Sequence, residues 1–296
     1  MNQVIFRITA FLLFLISLLP FGLLYLLSDI LFFFLYHVFR YRRKVVAKNL
    51  LNSFPEKSIS DLKGIEKRFY RHLSDLILES VKTLTISSGE IKKRYVFSNL
   101  HVISRYLNAG RSVIAVSGHY GNWEWGPVAI GLEFKEKVFV VFKPLSDKRF
   151  EHLINSMRSR FGTVMVPMKQ TLRKLHEYKD IPHVLVLVGD QTPTREESQY
   201  FTTFLNQPTA VFLGVEKIAL KTNDPIIYFT INKIKRGYYE CVVKSLVEFP
   251  GQCSDFEITE AHTRELENNI RLKPEYWLWS HRRWKFSPEN LKFKNE

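Results

Sequence analysis

Cysteine is nearly absent. The 296 residues hold two, Cys241 and Cys253, with neither metal-ligand spacing nor disulfide density. A disulfide-stapled fold is thereby excluded, and a reducing compartment fits. No internal repeat and no low-complexity segment is present, and no linker signal divides the soluble part, so it reads as one domain. Acidic residues are scarce beside basic ones. Asp plus Glu number 29 against 43 Lys plus Arg, a formal charge of +14. An acidic partner is expected, and nucleic acid, anionic lipid headgroups and acidic proteins all qualify.

Charge is missing altogether from Ile8 to Leu27, where only Thr9, Ser17 and Pro20 interrupt the apolar run. Twenty helical residues rise about 30 Å, the thickness of a bilayer's hydrocarbon core. A second apolar segment, Ile30 to Phe39, follows Asp29 and leads into the basic cluster RYRRK, Arg40 to Lys44. A cleavable signal peptide has a shorter apolar region ending at small residues. This run ends in LLYLLSD and reads as a retained anchor. Pro20 either kinks a spanning helix or splits it into two interfacial ones. The basic cluster places the rest of the chain on the cytoplasmic side. Residues 1–45 are thus expected to be a membrane anchor with its basic flank, and residues 46–296 the working domain.

Beyond Lys44, helical and extended patterns alternate. Leu62, Ile65, Phe69, Leu73, Leu76, Ile77 and Leu84 recur at steps near three and four, which predicts an amphipathic helix from about Ser60 to Ile86. Lys63, Lys67, Arg71 and Asp75 then form its solvated face. Short β-branched runs at Val113–Val116, Val138–Phe142, Val164–Val166, Val184–Val188 and Ile226–Ile231 suit strands buried on both faces. Helical stretches near Asp147–Arg160, Gln170–Lys179 and Thr209–Lys221 lie between them. The expected fold is α/β, with a mainly parallel central sheet flanked by helices and an N-terminal membrane-anchoring helical segment.

Ser117 to Trp125 read SGHYGNWEW, directly after a predicted strand. Gly118 and Gly121 permit a sharp turn, and Asn122 is a candidate cap for a helix starting at Trp123. Ligands of open α/β sheets gather at the carboxyl ends of strands, where His119 falls. On a continuous helix His119 and Glu124 would lie about 140° apart, so they meet only across the turn. In that arrangement Glu124 accepts the N–H of one ring nitrogen of His119 and leaves the other as a general base. A surface or packing role remains open for both residues. A zinc site is not expected, since no second histidine stands one helical turn away.

The order of motifs carries more. A membrane-anchoring N-terminus followed by RYRRKVVAKNLLNSFP, SGHYGNWE, NSMRSRFG, VGDQTPT and PEYWLWSHRRWK resembles the bacterial lipid A biosynthesis acyltransferases over nearly the whole chain. That family's signature, a histidine, four residues and an acid, is matched by His119 to Glu124. The resemblance implies transfer of a fatty acyl group from acyl carrier protein, or sometimes coenzyme A, onto a hydroxyl of a membrane lipid. It implies no cofactor beyond that thioester co-substrate, and a bacterial inner-membrane location with the catalytic domain facing the cytoplasm. A thioester is already activated, so the enzyme must deprotonate the hydroxyl, align it and stabilise an oxyanion. By resemblance, Arg158 or Arg160 helps form the site, gripping a lipid phosphate or the oxyanion, and Asp190 lines it. On spacing alone, the arginines are equally cations closing a helix, and Asp190 a turn residue. FTTFLNQPTAVFLG departs from the family's glycine-richer segment; there Thr209 is the expected helix cap. The Trp, Tyr, Arg and Lys of PEYWLWSHRRWK suit a site wall near a membrane interface. Nucleic-acid stacking would use similar residues, but no companion motif of such a module appears. The expected partners are therefore acyl carrier protein, a lipid A precursor or other anionic lipid, and the membrane. Another lipid acceptor, or a non-catalytic scaffold binding anionic lipids, would share the anchor and the charge.

Overall fold

Pro20 sets the first break. A residue preceding proline is pushed out of the helical region, and Leu19 and Pro20 both adopt extended backbone, with ψ of 138° and 152°. The uncharged run from Ile8 to Leu27 is therefore not one helix. It is shared between α1 (Gln3–Leu18) and α2 (Phe21–Phe33), the latter continued by a π turn, Phe34–Val38. Phe21–Val38 is long and apolar enough to cross a membrane by composition. The computed structural model describes residues 2–134 and 137–288.

After the basic cluster come α3 (Arg43–Ser53) and α4 (Ile59–Lys82). Ser58 caps α4 by accepting from the Asp61 N–H. The expected amphipathic stripe is there, with Leu62, Ile65, Phe69 and Leu73 buried in the core. Asp75 is not on a solvated face. It is 3% exposed and paired with Lys233 and Arg236.

The α/β part runs α5 (Ser88–Arg94), β1 (Tyr95–Ser98), α6 (His101–Asn108), β2 (Val113–Ser117), α7 (Trp125–Glu133), β3 (Val138–Phe142), α8 (Lys148–Arg158), β4 (Val164–Pro167), α9 (Thr171–Glu177) and β5 (Val184–Val188). A two-stranded antiparallel pair follows, β6 (Tyr200–Phe204) and β7 (Gln207–Val211), then α10 (Gly214–Thr222), β8 (Ile226–Lys235), β9 (Tyr238–Val247) and α11 (Glu257–Leu272). Thr209, expected as a helix cap, lies within β7, and the helix starts only at Gly214. The seven-stranded sheet is ordered β1-β9-β8-β2-β5-β3-β4, and every pairing is parallel except β8 with β9.

Strand β2 explains why the central strands read as unbroken apolar runs. Ile114 and Val116 enter one core cluster and Val113 and Ala115 the other, on opposite sides of the sheet. Burying such a side chain is worth about 1.5–3 kcal/mol relative to leaving it exposed. The central strands are thus firmly held, and the loops at their carboxyl ends are set on a rigid base.

Candidate active site

Register brings the site together. Ser117 at the end of β2 pairs with Val188 at the end of β5. His119 and Asp190 each stand two residues further on, so the two loops leave the sheet side by side. The Asp190 carboxylate accepts twice from His119 and once from Trp277: Oδ2 takes the His119 backbone N–H at 2.9 Å, Oδ1 lies 2.5 Å from Nδ1, and Oδ2 also takes the Trp277 indole N–H at 2.8 Å. Gly118 is required for this approach, because a Cβ there would meet Leu266 at 2.6 Å and the Asp190 carboxylate at 3.4 Å. Gly121 makes the turn, with φ of +63° and the Ile231 carbonyl 2.7 Å from where a Cβ would stand.

Burial works against charge on the His119 ring, but the Asp190 charge and hydrogen bond, helped by Glu124, outweigh it and raise its pKa above 6.5. Burial likewise works against ionised Asp190, yet the charge and bonds of His119 and the Trp277 indole hold its carboxyl well below the usual range. With Asp190 ionised, Nδ1 carries the proton and donates. Nε2 then presents a lone pair, and the Gln191 amide N–H donates to it at 3.2 Å.

Glu124 does not orient the histidine. Its carboxylate accepts from Arg158, from Nε at 3.0 Å and Nη2 at 2.7 and 2.8 Å, and from the Trp123 indole at 3.2 Å. The reason is local. Asn122 accepts from the Trp125 N–H, so α7 begins at Trp125, two residues later than expected. Glu124 then sits at the helix entrance facing the end of α8, while Asp190 fills the position beside the ring. Arg160 lies outside this cluster: its Nη1 donates to the Thr83 and Ile86 carbonyls, at 2.5 and 2.9 Å, just past α4. Such carbonyls at a helix end attract a cation.

The C-terminal segment supplies what spacing did not reveal. Besides Trp277, His281 Nε2 accepts from the Thr192 N–H at 3.1 Å, and burial pushes its pKa down to about 4. Arg283 is 4% exposed, and its Nε and Nη1 have no hydrogen-bond partner among the described residues. With Ser117, Asp190 and His262 it lines a cavity of about 20 Å³, room for one water. Burial lowers the Arg283 pKa to about 10 against the pull of Asp190. The fixed order of SHRRWK after two tryptophans was the available signal, but nothing in the spacing tied it to Asp190.

Two recesses open along the loop that follows Asp190. An apolar one of about 420 Å³ is lined by Val141, Phe142, Met168, Leu172, Val215 and Ile218, with Gln191 on its wall. A basic one shares Lys143 and Thr192 with it and adds Arg42, Arg195, Arg282 and Lys285. The apolar slot and the cationic recess meet at Lys143 and Thr192, next to the Gln191 that bonds His119.

Comparison with known proteins supplies the family. The family model for bacterial lipid A biosynthesis acyltransferases matches residues 1–286. The chain belongs to that family. The lipid A biosynthesis palmitoleoyltransferase of Escherichia coli (strain K12) is 21% identical over 249 residues, covering 83% of this chain and 80% of the relative. A lipid A biosynthesis acyltransferase of Shigella flexneri is similar to the same extent. The protein is accordingly an acyltransferase, and family membership associates it with lipid A and the membrane.

Proposed function

We propose that the protein transfers a fatty acyl chain from an acyl carrier protein thioester to a hydroxyl of a lipid A precursor, with His119 as general base held by Asp190. The observation that carries this reading is the Asp190–His119 Nδ1 contact, which leaves Nε2 as the proton acceptor. The acceptor hydroxyl takes the place of the Gln191 amide at Nε2 and gives up its proton as its oxygen attacks the thioester carbonyl. The imidazolium so formed is stabilised by Asp190 and returns the proton to the leaving thiolate. Arg158, fixed by Glu124, supplies positive charge for the oxyanion. The acyl chain lies in the apolar recess, and the basic recess receives the acidic donor or the lipid phosphates. The cluster Arg40 to Lys44 favours a cytoplasmic face at the inner membrane.

The test is transfer from carrier proteins loaded with several chain lengths to a lipid A precursor in mixed micelles, followed by mass spectrometry. Wild-type protein is expected to add one acyl group, and His119→Ala to lose about 10²- to 10⁴-fold in rate with its fold intact. Retention of more than a few per cent of wild-type transfer by the variant would sink the reading. Acylation of a different lipid in place of the precursor would move the acceptor and keep the base.

A further inference from the structure

Phe21–Val38, α2 with its π continuation, is long and apolar enough to cross a membrane and α1 is a shorter apolar helix, yet both are fastened to the α/β domain along their length. Near its start, α1 sets Phe6 edge-on to Phe150 of α8, centroids 5.4 Å apart. At its end the Ser17 and Leu19 carbonyls accept from Lys82 Nζ, each at 2.7 Å. Helix α2 begins with Phe21 under the Arg94 guanidinium, 3.5 Å from the ring centroid. At its middle Tyr25 donates to Glu79 and Ser28 to Asp75, both at 2.8 Å. Its continuation ends with Tyr36 against Tyr70 and with Arg42 donating to the Ser280 carbonyl at 3.1 Å.

A helix crossing a bilayer must leave the soluble domain at one end. Neither does. The middle of α2 also carries Asp29, more than half exposed and bonded to Arg236 at 2.7 Å, and Arg236 in turn binds Asp75. Placing that ion group at the bilayer centre would cost several kcal/mol. The outward faces are apolar at helical spacing: Ile8, Phe11 and Leu15 on α1, and Leu23, Leu26 and Ile30 on α2, all exposed. Exposed Arg40 and Arg42 follow directly and complement anionic headgroups.

We infer that the protein is monotopic: α1 and α2 lie side-on in one leaflet of an anionic membrane, with no segment of residues 2–44 crossing it. Their apolar faces enter the boundary between headgroups and acyl chains by about 5–10 Å. Arg42 links this platform to the basic recess, which it lines beside His281. The mouth of the site therefore sits at the lipid surface. This inference concerns the mode of attachment and stands whether or not the proposed reaction is correct.

Depth measurement decides it. Single cysteines carrying a nitroxide would be placed by Val4→Cys, Leu15→Cys, Leu23→Cys and Phe34→Cys in the full chain. Cys253→Ser removes the accessible native thiol, and Cys241 is buried. Each pair is eleven residues apart, on one face and about 16 Å along the helix. On vesicles of phosphatidylethanolamine and phosphatidylglycerol, paramagnetic relaxation by oxygen and a water-soluble nickel chelate reports depth without turnover. In-plane helices give equal, shallow depths within each pair, to within a few ångströms. A difference of about 16 Å within either pair would mean that helix crosses, and the inference would be wrong.

Discussion

At the residue scale the site depends on which carboxylate holds which cation. Asp190 and Glu124 are chemically alike, and both act electrostatically on His119. Geometry separates them: one bonds the imidazole, the other a guanidinium. Arg283 adds a buried cation behind Asp190. The groups facing the ring are then Asp190, Glu124, Arg158 and His281, with Arg283 across the small cavity. Removing that cation favours the imidazolium. Arg283→Met is expected to move the His119 pKa upward, read from ring resonances in a pH titration, with Arg283→Lys restoring it. An unchanged His119 titration in the Met variant would limit Arg283 to packing. His119 was legible in the sequence because glycines and a strand end surround it. Its partner was not, because Asp190 is 71 residues away and Glu124 offers an equally plausible acid close by.

At the element scale Glu79 joins four parts of the fold. Its carboxylate accepts from Tyr25 on α2, Tyr239 on β9 and Asn122 in the GNWE turn, while its carbonyl takes the Trp125 indole N–H. Helix α2 and the GNWE turn are thereby tied to one residue of α4. Burial raises the Glu79 pKa to about 7, the charge of Lys233 opposing. A carboxyl raised in the folded state contributes stability that is complete below its unfolded pKa of 4.5 and lost as pH climbs through 7. Wild-type protein is expected to lose stability across that window relative to Glu79→Gln, as read from urea midpoints at pH 5 and pH 8. Parallel midpoints for the two proteins would contradict it. Of this element, the apolar stripe was readable from periodicity. On the polar face Lys63, Lys67 and Arg71 are exposed as expected, and Asp75 alone departs, because Ser28 of α2 and Lys233 and Arg236 at the β8–β9 turn close over it. Similarly, β6 was not anticipated, and the end of β7 fell where a helix was expected to begin, because Thr209 is as acceptable in a strand as at a cap.

At the scale of the whole molecule, the candidate site exists only when distant segments converge. His119 reaches Asp190 across 71 residues, and Asp190 reaches Trp277 across 87. The parallel sheet was predictable from its β-branched runs, but the strand order that puts β2 beside β5 was not, and that order makes the site. The excess of positive charge reads differently once placed: part of it lines the basic recess that includes His281 and part follows the apolar N-terminal helices. The most direct test of the account is the pH dependence of kcat/KM for acyl transfer in wild type, Asp190→Asn and Glu124→Gln. With Asp190 as orienter, Asp190→Asn lowers the rate by about 10²-fold or more. It also moves the acidic limb to lower pH, because burial then depresses the ring's pKa unopposed by its nearest charge. Glu124→Gln shifts that limb less. If Glu124→Gln moves the limb further than Asp190→Asn does, or Asp190→Asn leaves both limb and rate unchanged, the pairing at the centre of this account is wrong.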